Sequence, residues 1–147
     1  MEAAVSVAHS ESFLLEPGAV SVVLGVRIGL YAGVILGLDL PQKDKRLFAF
    51  AESDGCGTGG ISIATGCCVD RRTMRIIDYG KLAATFVDTL TNKAVRISPR
   101  SDCREAAALH HFSDQDTWRN QLIAYQKLPY ESLLKVQEVA LTVSLEK

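Results

Sequence analysis

The sequence predicts a single α+β domain, a mostly antiparallel sheet packed against a long glycine-striped helix and C-terminal helices. Three observations lead there. The chain has 147 residues, room for one core and not for two. An apolar run with glycine at every fourth position occupies Gly18 to Leu38. Beyond it, strand-like segments and then helix-like ones are segregated along the chain instead of alternating, the pattern of α+β architecture. A hydrophobic share of 48% against 22% charged residues also excludes a disordered chain, a collagen-like repeat and a small disulfide scaffold.

Residues 1–16 are weakly periodic, and Glu16-Pro17-Gly18 reads as a turn into the first helix. From Gly18 to Leu38 the only charge is Arg27, and glycines fall at 25, 29, 33 and 37. The length would allow a membrane span. Arg27 near the centre argues against it, since a mid-bilayer arginine costs about 2.5–3.5 kcal/mol on insertion scales. Tyr31 sits mid-run rather than at an interface. The expectation is a buried core helix whose glycines leave a groove for close backbone packing, against the sheet or a symmetry-related helix.

Leu40 to Lys45 is a polar connection, and Arg46 to Ala51 a buried strand. Asp54 to Gly60 reads as a glycine-dense turn, followed by an apolar stretch from Ile61 to Cys68. Strands are expected at 75–77 and 82–88, the latter joined through Thr91-Asn92-Lys93 to a hairpin partner at 94–97. Ser113-Asp114-Gln115-Asp116 is a helix start, with Trp118, Leu122, Ile123 and Tyr125 at helical spacing. Pro129 closes that helix, a short one spans Tyr130 to Leu134, and a last strand covers 136–143.

Sixteen basic against seventeen acidic residues give a net charge of −1, so no global field favours nucleic acid or an anionic membrane. The cysteines are Cys56, Cys67, Cys68 and Cys103, without a CxxC pair. Free or metal-bound thiols in a reducing compartment fit this pattern. The N-terminus carries an acid where a secretory signal has basic residues, and the expected location is cytoplasmic.

Cys56 follows Asp54-Gly55 at a predicted strand end, a position suited to a ligand or a nucleophile. Cys67 lies eleven residues on, about 16 Å away if the intervening chain is helical. The two thiols share one metal only if the glycines at 57, 59 and 60 fold the loop back; otherwise they have separate roles. Cys67 and Cys68 also suit small buried hydrophobes, and Cys103 reads as structural. Arg71, Arg72, Arg75 and Lys81 offer an anion contact, or a solvated basic edge that discourages strand pairing. The glycine-rich segment has no Gly-Lys-Ser/Thr ending, which excludes a phosphate loop. Adjacent His110 and His111 point apart and do not chelate one ion, Asp114 and Asp116 read as caps, and no hydrolase triad assembles from the spacing.

The ordered motifs are more specific than any one of them. Gly25-Val26-Arg27-Ile28-Gly29 is followed by Glu52-Ser53-Asp54-Gly55-Cys56, Ala64-Thr65-Gly66-Cys67-Cys68, Asp78-Tyr79-Gly80-Lys81 and Ala84-Thr85-Phe86-Val87-Asp88. Ala94 to Arg100 and Leu134 to Val139 complete the series. Over residues 18–139 this resembles the family named for the E-type component of formylmethanofuran dehydrogenase. The resemblance implies a metal-associated cytoplasmic domain holding zinc or another divalent transition metal. It also implies a homodimer and a link to a molybdenum or tungsten enzyme of one-carbon metabolism. The family's His-x-His-x-Cys-Pro stretch before Gly-Val-Arg is replaced here by Phe13 to Val22, with His9 a displaced remnant only across a longer loop. The ligand set that carries over is Cys56 and Cys67, and there is no zinc-finger tail after Val139. Beside this reading stand an interaction module that kept only the fold, and a metal-free enzyme using Cys56 as nucleophile.

Overall fold

A computed structural model describes residues 18–110 and 117–140. The elements run α1 (Ala19–Leu36), β1 (Leu47–Ala51), α2 (Cys56–Thr65), β2 (Met74–Ile76), β3 (Ala84–Asp88) and β4 (Lys93–Pro99). They continue with α3 (Cys103–Ala108), α4 (Thr117–Lys127), α5 (Tyr130–Leu133) and β5 (Leu134–Val139). The five strands form one sheet in the order β2-β1-β3-β4-β5. Every pairing is antiparallel except β1 with β2. The α+β expectation holds.

α1 is the predicted apolar helix, closed by Gly37 in the left-handed conformation. Val23, Ile28 and Ala32 join Leu47, Ala49, Phe86 and Ile97 of the sheet in the main core. Two-thirds of the helix is buried inside the protein, so its apolar surface is used within the fold. At Gly25 and Gly29 the close partner within the chain is α2, not the sheet, and α2 is formed by the segment whose glycines read as a turn. A Cβ on Gly25 would meet the Gly57 carbonyl, and one on Gly60 would meet that of Val22. At Gly29 a Cβ would lie 2.9 Å from both Ala64 Cβ and Thr65 Cγ2. Glycine weakens an isolated helix by about 1 kcal/mol per residue. Here the bare backbone lets two helices approach, and packing offsets that propensity.

Arg27, the one charge in α1, is 2% exposed. Its Nη1 donates to the carbonyls of Tyr125 (2.7 Å) and Gln126 (2.9 Å), and its Nη2 to that of Leu128 (2.6 Å). These are orphan acceptors at the end of α4, where a cation also meets the negative end of the helix dipole. The guanidinium lies 4.4 Å over the Tyr130 ring, which stacks on Tyr31.

β3 and β4 form the expected hairpin, with Asn92 at φ 60° supplying its left-handed residue. β5 begins at Leu134, two residues before the predicted start, because α5 leads into it directly. α3 has no counterpart in the sequence reading. The Ser113–Asp116 start signal, including the two aspartates read as caps, and residues 141–143 lie outside the described residues.

Asp88 ends β3 and is 1% exposed. Its carboxylate accepts two hydrogen bonds from Arg46, both 3.1 Å, and one from the Leu90 N–H. The Arg46 guanidinium holds its carboxyl below the usual carboxylate range. The stabilisation is therefore fully present above the unfolded value, about pH 4, and is lost as pH falls through the lowered folded value. Asp88→Asn is expected to flatten the decline in stability as the pH is taken below about 4. Urea midpoints measured over that range check this, and parallel profiles for the two proteins would contradict it.

Candidate functional site

After β1 the chain turns through Glu52 to Gly55 and enters α2 at Cys56. Thr58, buried in the first turn of α2, pins this bend. Its Oγ1 donates to the Ser53 carbonyl at 2.6 Å and lies 3.2 Å from Ser53 Oγ. The N–H groups of Thr58 and Gly59 both bond the Gly55 carbonyl. A second wall comes from residues 77–82. Ile77 N–H donates to the Ala51 carbonyl at 2.9 Å, while Tyr79 N–H and Lys81 N–H donate to that of Glu52 at 2.9 and 3.2 Å. Asp78 Oδ1 accepts the Gly80 N–H at 2.8 Å, so this wall carries its own turn. Leu82 closes against Gly57, where a Cβ would meet its side chain.

Between the walls lies an open cleft of about 380 Å³, lined by Gly18, Ser21, Ser53, Asp54, Gly55, Cys56, Gly57, Asp78, Gly80 and Leu82. The size falls within the range of small-molecule sites. Cys56 is exposed there. The charged residues lining the cleft are Asp54 and Asp78, with no lysine or arginine among the lining residues. The amides of Cys56 and Gly57, which precede the first bonds to the Gly55 carbonyl, have no acceptor within α2, and the positive end of its dipole lies beside the sulfur. The site thus offers one soft nucleophilic atom, a partial positive field and two carboxylates.

Cys67 follows Gly66, the left-handed cap of α2. Its side chain is buried, Sγ donates to the Leu47 carbonyl at 3.4 Å, and burial pushes the thiol up to about 11. The ten residues of α2 separate it from Cys56 by about 15 Å of helix. The fold does not bring these two thiols together within one chain. Cys68 is half-buried, and Cys103 is buried with Sγ 3.6 Å from the Tyr125 hydroxyl. Arg71 and Arg72 are exposed before the start of β2, whereas Lys81 lies beyond its end. Along the chain, Arg71 and Arg72 thus precede that strand and Lys81 follows it. Arg75 is exposed on β2 and paired in register with Phe50. His110 is exposed, and His9 and His111 lie outside the described residues.

Among the described residues, no three His, Cys, Asp or Glu side chains stand close enough to hold one ion. They do not by themselves fit a zinc centre, which takes at least three protein ligands. Sequence reasoning set Asp78-Tyr79-Gly80-Lys81 among the ordered motifs and Lys81 among the anion candidates, but did not read this segment as a wall beside Cys56, and it did not single out Ser21.

The fold and this cleft define a small α+β domain with a thiol presented at a helix start. The family model described as FmdE, molybdenum formylmethanofuran dehydrogenase operon, matches residues 19–143. The chain belongs to that family. Over 79 residues it is 33% identical to a protein of Archaeoglobus fulgidus described as a probable S-adenosyl-L-methionine-binding protein. That alignment takes in 52% of this chain and 22% of the relative, so the chain spans about a fifth of that protein. A solved structure of a tungsten formylmethanofuran dehydrogenase FmdE-like protein from Syntrophus aciditrophicus superposes with a TM-score of 0.58 at 17% identity. It covers 86% of this chain and 65% of the other, and shows a shared fold.

Proposed function

We propose that this FmdE-family chain is a small-ligand-binding domain whose site is the cleft at the start of α2, with the Cys56 thiol facing the ligand. The observation that supports it most is an exposed sulfur opening on a preformed hollow whose lining charges are the carboxylates of Asp54 and Asp78. Such a lining favours a cationic ligand over an anion, since unit charges about 4 Å apart interact by about 1–4 kcal/mol near a protein surface. The relative's description supplies a probe of that kind. S-adenosylmethionine carries a sulfonium charge that S-adenosylhomocysteine lacks.

A second reading, zinc or another divalent transition metal at Cys56, draws on the family resemblance and on the thiol and carboxylates sharing one cleft. It requires donors beyond the described residues. A homodimer, a cytoplasmic location and association with a molybdenum or tungsten enzyme of one-carbon metabolism rest on the same resemblance.

Calorimetric titrations of the full chain with S-adenosylmethionine, S-adenosylhomocysteine and zinc chloride separate these readings. The sulfonium compound is expected to bind about tenfold more tightly than its neutral counterpart. Asp78→Asn should narrow that gap, and Cys56→Ser should alter the binding of both. Stoichiometric zinc binding lost in Cys56→Ser would turn the assignment to metal. No heat from any of the three would remove the cleft as the site.

A further inference from the structure

Both walls of the cleft converge on Glu52, a residue that does not line it. Its N–H donates to the Ala83 carbonyl at 3.0 Å, and its carbonyl accepts from Tyr79 and Lys81. The 77–82 wall thus hangs from the two peptide groups that flank the Glu52 α-carbon, through the Ala51 and Glu52 carbonyls, while the wall bearing Cys56 leaves from the next residue. The Glu52 side chain pairs with Arg96. Arg96 Nε donates to Oε2 at 2.7 Å and Nη2 to Oε1 at 2.9 Å, and Nη1 reaches Gln137 Oε1 at 3.1 Å. In register, Arg96 lies opposite Thr85, which lies opposite Phe50. The guanidinium therefore reaches across β3 to the end of β1, and β5 braces it from behind. Both side chains are partly buried, at 27% and 16% exposure, and a two-pronged arginine–carboxylate pair fixes direction as well as distance.

We infer that Arg96 and Glu52 are a positioning pair that sets the spacing of the two cleft walls from outside the cleft. The inference rests on the reading of that cleft as the binding site, but its test needs no ligand. The readout is the size selectivity of Cys56 alkylation, the ratio of rates with iodoacetamide and with bulky fluorescein maleimide, with the label mapped to Cys56 by mass spectrometry. Walls held at a set spacing discriminate against the bulky reagent. Arg96→Gln should reduce the selectivity by about threefold, the scale expected of a partly buried ion pair. Arg96→Lys, which keeps the charge without the two-pronged geometry, should fall between. The exchanged double variant Glu52→Arg/Arg96→Glu should recover part of the selectivity. Circular dichroism verifies folding at the assay temperature, and Glu52→Gln serves as the test if Arg96→Gln does not fold. A pair that contributes stability alone would lower the melting temperature and leave the selectivity at the wild-type value, and that result overturns the inference. Absence of binding in the titrations with adenosyl compounds and zinc, combined with altered selectivity here, would reject the ligand reading and leave the positioning role standing.

Discussion

Replacing Gly25 by alanine is expected to destabilise the domain by about 3 kcal/mol, the upper end of the usual range for overpacking. Considered in isolation, the change should help, since alanine exceeds glycine in helix propensity by about 1 kcal/mol. Its methyl group, however, would occupy the place of the Gly57 carbonyl. A main-chain oxygen inside a helix cannot swing aside as a side-chain tip can, so α1 and α2 would have to separate. That movement opens a gap in a close-packed interior, where dispersion contacts fall steeply with distance. Gly59→Ala is the control within the same helix pair. Nothing lies within 4 Å of a Cβ there, and the position is exposed, so propensity acts alone and stability should rise by about 0.5–1 kcal/mol. Urea denaturation of the two variants should move the midpoint in opposite directions. A Gly25→Ala protein as stable as wild type would show that the helices are not in backbone contact.

Arg27→Met should cost about 3 kcal/mol, in the range found when one partner of a buried polar cluster is removed. Methionine retains an unbranched stem of similar reach, so the loss falls on the guanidinium. Three carbonyls, those of Tyr125, Gln126 and Leu128, would be left without their donor. The cation over the Tyr130 ring would also be removed, worth about 0.5–2 kcal/mol. Nε has no hydrogen-bond partner among the described residues, so its removal adds nothing to the penalty. Arg27→Lys should recover only part of the loss, because a single ammonium lacks the fork that meets three acceptors at once. Thermal unfolding of the three proteins is the measurement. Equal melting temperatures for wild type and Arg27→Met would mean that the end of α4 is held by other contacts.

The elements visible in the sequence are those whose signal is local. The apolar run of α1, the Arg46–Ala51 strand and the hairpin around Asn92 each contain their own pattern. The start of the cleft was visible too, since Asp54-Gly55-Cys56 lies at a strand end. What escaped depends on distant residues. α2 has a composition that favours a turn, and its helical state is supported by the backbone of Val22 to Gly29, some thirty residues earlier. Arg27 counts against a membrane span in the sequence, but its structural purpose lies at carbonyls 98 to 101 residues further on. The 77–82 wall is held through peptide groups, which leave little trace in side-chain identity. α3, at six residues, is too short for periodicity to register. For Cys67 the sequence left a ligand and a buried hydrophobe both open, and the side chain is sealed beneath Leu47.

Gly57 is gripped on two sides, its carbonyl against α1 at Gly25 and its α-carbon against Leu82. Cys56 therefore hangs from a backbone that is held on both sides, although its side chain faces solvent. Its α-carbon cannot shift far without moving the central helix, so the contour around the thiol is set largely at folding. Discrimination at this spot is then a matter of fit, and small changes deep in the interior should register at the surface as altered choice of guest.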